Sequence, residues 1–532
     1  MNSRHKQSII LGALTSSFGI FLAKAIGLLY ASPFSIMATE SNMVFYGNAY
    51  ALYDIILNLC TAGIPFAIAS MIAKYSDKGN YKTILTINKL SKLILLITGV
   101  VSGLILMLVS YPLSKFILGQ SAPIQDVKVQ QITFMFLALA LATVPLLSGT
   151  RGFFQGFKNM KIYSFTQVFE QLVRVAFLLI ASYILLYIFK LDKVYAVYMG
   201  ILAASIAAIV TQLYLVKQTN IKLKEIKLLA NQQEVKAISQ KELFKEILYF
   251  GLPYLLIVLL GNSMSIVNSM FFLPLMENTG IEYAQSKLML GIMQFNTTKI
   301  ISIPQVLALG FSAGMVPYLT IAYENNDKNL LKRNITEILE TVTFIALPLT
   351  FCLLVLSKPI YSLMYGNDNI ELGSSILAYS SLVALVGTIS PICTSMLTTL
   401  RMRKKVIIFL LITFITKFVL FIPFVLSFNY KGAIFSSVIS SLVCIILCMI
   451  TIAKKYRISF KNYIIRFIKM LFGLISMNGV FSILNMYLSF NLDSKLNLIL
   501  LLAIYGILGI FGYLVTTACF NIPQRFIKKV LR

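Results

Sequence analysis

Six ionisable side chains interrupt long apolar runs in this chain. They are Lys24 in FGIFLAKAIGLLY, Asp54 in YALYDIILNLC, Glu170 and Arg174 in SFTQVFEQLVRV, Lys299 in FNTTKIISIP, and Lys417 in ITFITKFVLF. Ionisable groups at such places are costly, and they normally face a bundle interior or a wet cavity, or pair with one another. Glu170 and Arg174 are four residues apart with the acid on the N-terminal side, the favourable order for an ion pair on one helix face. Two roles stay open for them: a salt bridge that seats their helix, or a gate toward the cytoplasmic side, where Arg151 also falls. Lys24 and Lys299 have no acid one helical turn away. Lys299 lies about 18 Å from either end of its 37-residue run at about 1.5 Å per residue, which makes snorkelling awkward unless Pro304 and Gly310 break the helix. Both lysines are therefore expected to line a cavity, where ammonium groups suit an anionic substrate such as a phosphate or diphosphate. Lys417 is read either as cavity-lining or as snorkelling. Asp54 either pairs with Lys24 from the neighbouring helix or couples a proton or sodium ion.

The elements that must position these charges follow from composition. Of 532 residues, 58% are hydrophobic and 12% charged. A soluble globule of this size carries about a quarter charged residues, so a soluble fold is excluded. A run of about 20 apolar residues spans a bilayer as a helix. Fourteen such runs lie near 9–36, 44–73, 90–110, 131–150, 164–189, 194–216, 247–276, 286–322, 337–356, 374–398, 406–427, 432–453, 464–488 and 496–519. The first is too long for a cleavable signal and has no small-residue cleavage site.

Net charge is +27, yet its placement matters more than its sum. Of the 46 Lys and Arg, 34 fall on the N-terminus, alternate loops and C-terminal tail, and 8 on the opposite loops. That asymmetry predicts an even number of helices with both termini in the cytoplasm. It also accounts for the basic balance without nucleic acid, the basic faces being a surface for anionic lipid. All six cysteines fall inside expected spans. Cys444 and Cys448 share a helix face, but no His or carboxylate accompanies them to complete a metal site, so neither a metal nor another cofactor is expected.

Residues 217–246 are mixed in charge and divide six spans from the next six. YPLSKFILG at 111–119 resembles KPIYSLMYG at 358–366, and GIPFAIASMIAKYSDKGNYK at 63–82 parallels GMVPYLTIAYENNDKNLLK at 314–332. Both pairs occupy the same place and sense in their halves, which predicts a parallel repeat with a central site between bundles. The expected layout is an all-α polytopic membrane protein of about fourteen helices. It has an N-terminal lobe at 1–216, a cytoplasmic linker at 217–246, a C-terminal lobe at 247–455, and two further helices with a basic tail at 456–532.

The stretch RGFFQGFKNMKIYSFTQVFEQLVRV resembles the RG-x-FQG…M…EQ-x-x-R signature of MurJ-type flippases of Gram-positive bacteria. These include relatives of stage V sporulation protein B and belong to the multidrug/oligosaccharidyl-lipid/polysaccharide exporter superfamily. GLLYASPFSIM preceded by Lys24, AGIPFAIASMIAKYSDKGNYK, and NTTKIISIPQVLALGFSAGMVPYLTIAYE are similar to the same branch. The resemblance implies two six-helix lobes plus two C-terminal helices, and alternating-access export of lipid II, the undecaprenyl-diphosphate-linked peptidoglycan precursor, across the bacterial cytoplasmic membrane. It carries diphosphate binding onto Lys24 and Lys299, and it matches Arg151, Glu170 and Arg174 to the signature. A groove for the lipid tail beside the last two helices is implied without residue matches. The chain departs from the pattern at Asn268, where members often place an acid, at KIYS after Met160, and at Asp54, where an amide is usual. These departures leave room for another polyprenyl-linked oligosaccharide as substrate. A cation-coupled drug exporter would favour acids in the cavity. A membrane glycosyltransferase would need a carboxylate-rich outer loop, whereas the outer acids here are scattered and His5 is the sole histidine. The expected reading is a monomeric carrier, driven by a proton, sodium ion or the membrane potential, and not an enzyme.

Overall fold

The computed structural model describes residues 22, 25–61, 64–233 and 236–523. Among these there are helices and turns but no strand. We number the helices α1 Ala31–Ala38, α2 Met43–Thr61, α3 Ile64–Asp77, α4 Tyr81–Leu118, α5 Ile124–Gly156, α6 Met160–Tyr183, α7 Val194–Asn231 and α8 Gln240–Met276. They continue as α9 Tyr283–Gly291, α10 Thr297–Glu324, α11 Lys328–Val355, α12 Ser357–Tyr365, α13 Ile370–Thr399, α14 Arg403–Tyr456, α15 Lys461–Tyr487 and α16 Lys495–Cys519. Every span expected from residue 44 onward falls on helix, and ten of the described helices are long and apolar enough to cross a membrane. One of these, α14, is two helices meeting at Asn429, whose φ of 53° breaks the helical path. Leu108, Ile180 and Ile475 are 83%, 60% and 66% exposed, and apolar surface on that scale needs lipid rather than water around it.

The polar turns recur for a local reason. Gly79, Lys158 and Asn326 take φ of 65°, 61° and 52°, and each is followed by an Asx residue that caps the next helix. Asn80 accepts from the Thr83 amide, Asn159 from that of Ile162, and Asp327 from that of Leu330. Such caps satisfy backbone donors that the first helical turn leaves open. The two nine-residue motifs of the sequence repeat also end alike: Gly119 at φ 89° and Gly366 at φ 86° close their helices with a bond back to residue i−4. Matching caps at matching places are what a duplicated six-span block would leave behind.

The described residues form two compact units that part between Gln294 and Phe295, inside the eighth span rather than in 217–246. Two contacts explain this. First, α7 runs on to Asn231, and Gln233 after it caps α4: its Oε1 accepts from the Tyr81 and Lys82 amides, and its Nε2 donates to Gly79 O. Second, α8, the seventh span, packs against α2, α3 and α4 of the first unit. It is tied near one end by Glu246, which meets Lys74 Nζ at 2.5 Å and Tyr75 OH at 2.9 Å, and beyond the other by Glu277, which accepts from the Ser121 amide. The Glu246 hydrogen bond, acting against slight burial, raises the Lys74 pKa above its ordinary value. In the second unit α10 packs on α13, α13 on α11 and α14, and the α15–α16 pair on α11. Met477, Phe481, Tyr505 and Tyr513 fill the joint, and Tyr513 OH donates to Phe344 O.

Candidate substrate-binding site

Glycines of the RGFFQG stretch set the first part of the site. A Cβ on Gly152 would lie 2.6 Å from Pro65 O, and one on Gly156 would lie 2.9 Å from Ala69 O. Only glycine lets α5 approach α3 this closely, the small-xxx-small packing of membrane helices. The chain then turns at Lys158 into α6, and Arg151 on α5 faces α6. Its Nη1 meets Glu170 Oε2 at 2.8 Å, its Nη2 donates to Thr166 O at 2.6 Å, and its Nε donates to Thr166 Oγ1. Arg174 Nη2 takes the other oxygen, Oε1, at 2.5 Å. One carboxylate thus bridges two guanidiniums, and the three side chains are only 12–18% exposed. The expected pair is a triad that joins two helices, with one positive charge in excess. Arg174 Nε is buried without a hydrogen-bond partner, and the guanidinium lies within electrostatic reach of Tyr50 and Tyr53 on α2. Tyr46 and Tyr50 stack there at 4.4 Å.

A second polar group in the same unit is one the charge search passed over. Gln294 Nε2 donates to Asn48 Oδ1 and to Ser269 Oγ, while Asn48 Nδ2 donates to Gln130 Oε1. Two acceptors in this neighbourhood, Gln294 Oε1 and Asn268 Oδ1, are buried with no donor. The signal was present as amides inside apolar runs, with Asn268 already marked as a departure from the family pattern. Toward the outer loops, Lys287 Nζ and Tyr283 OH share Asp126 Oδ2 at 2.8 and 3.1 Å. Burial and that carboxylate push the Tyr283 phenol well above its ordinary range.

In the second unit Lys299 sits just past a π-helical turn, Ile292–Asn296. Such turns free backbone groups and recur at functional sites. Here Tyr365 OH donates to Asn296 O, and Asn296 Nδ2 donates to Tyr361 OH, each at 3.0 Å. Both tyrosines come from α12, the repeat motif KPIYSLMYG, so that motif props the turn that aims Lys299. The lysine is half-buried, its Nζ 5.5 Å from the Phe295 ring centre. The helix break looked for at Pro304 and Gly310 does not occur, since α10 is continuous through both. The irregularity lies one turn before Lys299 instead.

Lys417 has different surroundings from a cavity wall. It is 0% exposed, and its ammonium donates to Ala433 O, Ser436 Oγ and Ser437 Oγ at 2.8–2.9 Å, across the Asn429 kink. A lysine has three donors, and all three are used. Asp54 is exposed on α2. Lys24 lies outside the described residues, so its pairing with Asp54 has no structural account here.

Comparison with known proteins gives the geometry its context. The family of polysaccharide biosynthesis proteins matches residues 10–323. The chain is 27% identical over 471 residues to lipid II flippase MurJ of Bacillus subtilis (strain 168), covering 87% of this chain and 86% of that one. It is 23% identical to stage V sporulation protein B of the same organism over 70% of each. Among solved structures, lipid II flippase MurJ in an inward closed conformation superposes with a TM-score of 0.69 over 98% of this chain and all of the other, at 14% identity. An inward-facing multidrug resistance transporter of the MATE family superposes at 0.64 over 83% and 98%, also at 14% identity. The chain belongs to the polysaccharide biosynthesis protein family, and its helices adopt the fold shared by MurJ and the MATE exporters.

Proposed function

We propose that this protein is a lipid II flippase. It takes the diphosphate and sugar headgroup into a cytoplasm-open cavity, leaves the polyprenyl tail in lipid, and re-exposes the headgroup on the outer face by alternating access. The observation that carries this reading is the near-full-length likeness to a curated lipid II flippase, on a chain whose Lys299 is set beside a buttressed π turn. Lys299 supplies diphosphate charge recognition, joined by Lys24. Arg151, Glu170 and Arg174 hold α5 against α6, and Arg174 retains an open donor. Asp54 is the candidate for proton or sodium coupling, with the membrane potential as the other source of drive. We read the protein as a monomeric carrier and not an enzyme, in the cytoplasmic membrane with both termini inside, as the charge asymmetry supports. The lobes are the two six-span blocks of the repeat, with α15 and α16 added. A flippase for another polyprenyl-linked oligosaccharide is favoured by one feature: Asn268, with its undonated buried acceptor, replaces the acid usual in MurJ-type members.

Depletion in the host, with lipid II accessible on the outer face as readout, tests the substrate. Outward lipid II is expected to fall, with rescue by wild type and none by the Lys24→Ala, Lys299→Ala double variant. Unchanged outward lipid II in a host with no second flippase would move the substrate to another lipid-linked glycan.

A further inference from the structure

The last two helices carry a feature that the transport reading does not use. Where α15 begins and α16 ends, against α11, lies a cavity of about 330 Å³ lined by Glu340, Asn462, Arg466, Lys469, Phe520 and Asn521. Glu340 forms its floor at 3% exposure and is paired with Arg466 Nη1. Lys469 adds a second cation, 5.4 Å from the Phe520 ring centre, and no carboxylate among the described residues pairs with it. The cavity is therefore net positive, with two amide side chains at its exposed rim. On the same α15–α16 pair lies an apolar groove of about 380 Å³, lined by Val480, Ile483, Leu508, Phe511 and Val515 among others. The two are aligned. Lys469 and Ser476, which also lines the groove, are two turns apart on one face of α15, a separation of about 10 Å at 1.5 Å per residue.

We infer that this cavity binds the phosphate headgroup of an anionic glycerophospholipid, with one acyl chain lying in the adjoining groove. A phosphate suits Lys469 and the outer edge of Arg466 as charge partners, and the rim amides Asn462 and Asn521 as neutral donors. Basic pockets between transmembrane helices bind acidic headgroups in this way. A free phosphate has the same headgroup chemistry but no use for the groove, and that continuity selects the lipid. The site is separate from Lys299, and its existence does not depend on which glycan the protein carries.

The test uses the full-length protein in mild detergent, titrated with phosphatidylglycerol and, separately, with phosphatidylethanolamine of the same chains, and read by native mass spectrometry. Wild type is expected to retain phosphatidylglycerol in preference. Lys469→Gln should weaken it about fivefold, the effect of one lysine near an anionic surface, and Val515→Trp should weaken it by filling the groove. Lys495→Gln, at the far end of α16, should leave it unchanged. Equal retention of the two lipids, or wild-type affinity in Lys469→Gln, would overturn the site. Displacement of phosphatidylglycerol by an equal concentration of inorganic phosphate would overturn the lipid assignment in favour of a soluble anion.

Discussion

Lys417 and Lys299 lie in the same compact unit, on expected spans of similar character, and the structure treats them oppositely. At Lys417 the two halves of α14 fold back at Asn429 and supply three oxygens to one ammonium, sealed from outside. At Lys299 the protein spends its polar contacts on the backbone beside the lysine: Tyr361 and Tyr365 hold Asn296, and the ammonium is left half-buried over Phe295. An intramembrane cation is costly in either setting. What separates them is whether the fold satisfies the charge itself or only the platform beneath it. The Arg151–Glu170–Arg174 triad falls mainly with Lys417, since Glu170 gives one oxygen to each guanidinium.

Substitutions can sharpen or break this contrast. Glu170→Ala should have the largest effect on stability, because it leaves two buried guanidiniums without their counter-charge. A loss of about 3–5 kcal/mol is expected, read as a lower unfolding midpoint in detergent and poor accumulation in the membrane. Lys299→Met should leave accumulation intact and cut transport at least tenfold, a cost of about 1.4 kcal/mol or more in the step it serves. Tyr365→Phe removes a donor from Asn296 O and should cost about 1 kcal/mol, with a partial fall in transport as the π turn loosens. Lys417→Met should be the mildest. Replacing a buried charge by an apolar side chain of similar size is often neutral, and Ser436 and Ser437 still donate to Ala433 O. Unfolding within about 1 kcal/mol of wild type and normal transport are expected. A collapse of transport in Lys417→Met with normal stability would place that lysine in the pathway and remove the contrast.

Much of this was legible in the sequence, because bilayer length and helical spacing are local rules. The spans from residue 44 onward, the Glu170–Arg174 spacing and the six intramembrane ionisable positions all follow from them. Arg151 was visible in the signature, but not its bonds to Glu170 and Thr166, because those depend on how α5 and α6 meet after the Lys158 turn. The acceptors of Lys417 lie 16 to 20 residues away, beyond a kink that FNYKG does not announce. The prop beneath Lys299 comes from more than 60 residues downstream. Its only sequence trace is a pair of tyrosines one turn apart in a motif that had been noticed as a repeat. Proline and glycine drew attention to 304 and 310, yet α10 continues through both. The π turn at 292–296 carries no such marker.

The most direct test of the central claim puts the same substitution at both lysines. In a host depleted of the native protein, Lys299→Met and Lys417→Met are expressed to matched membrane levels, and lipid II on the outer face is measured. The account predicts restored outward lipid II with Lys417→Met and none above the depleted level with Lys299→Met. Full restoration by Lys299→Met would contradict it.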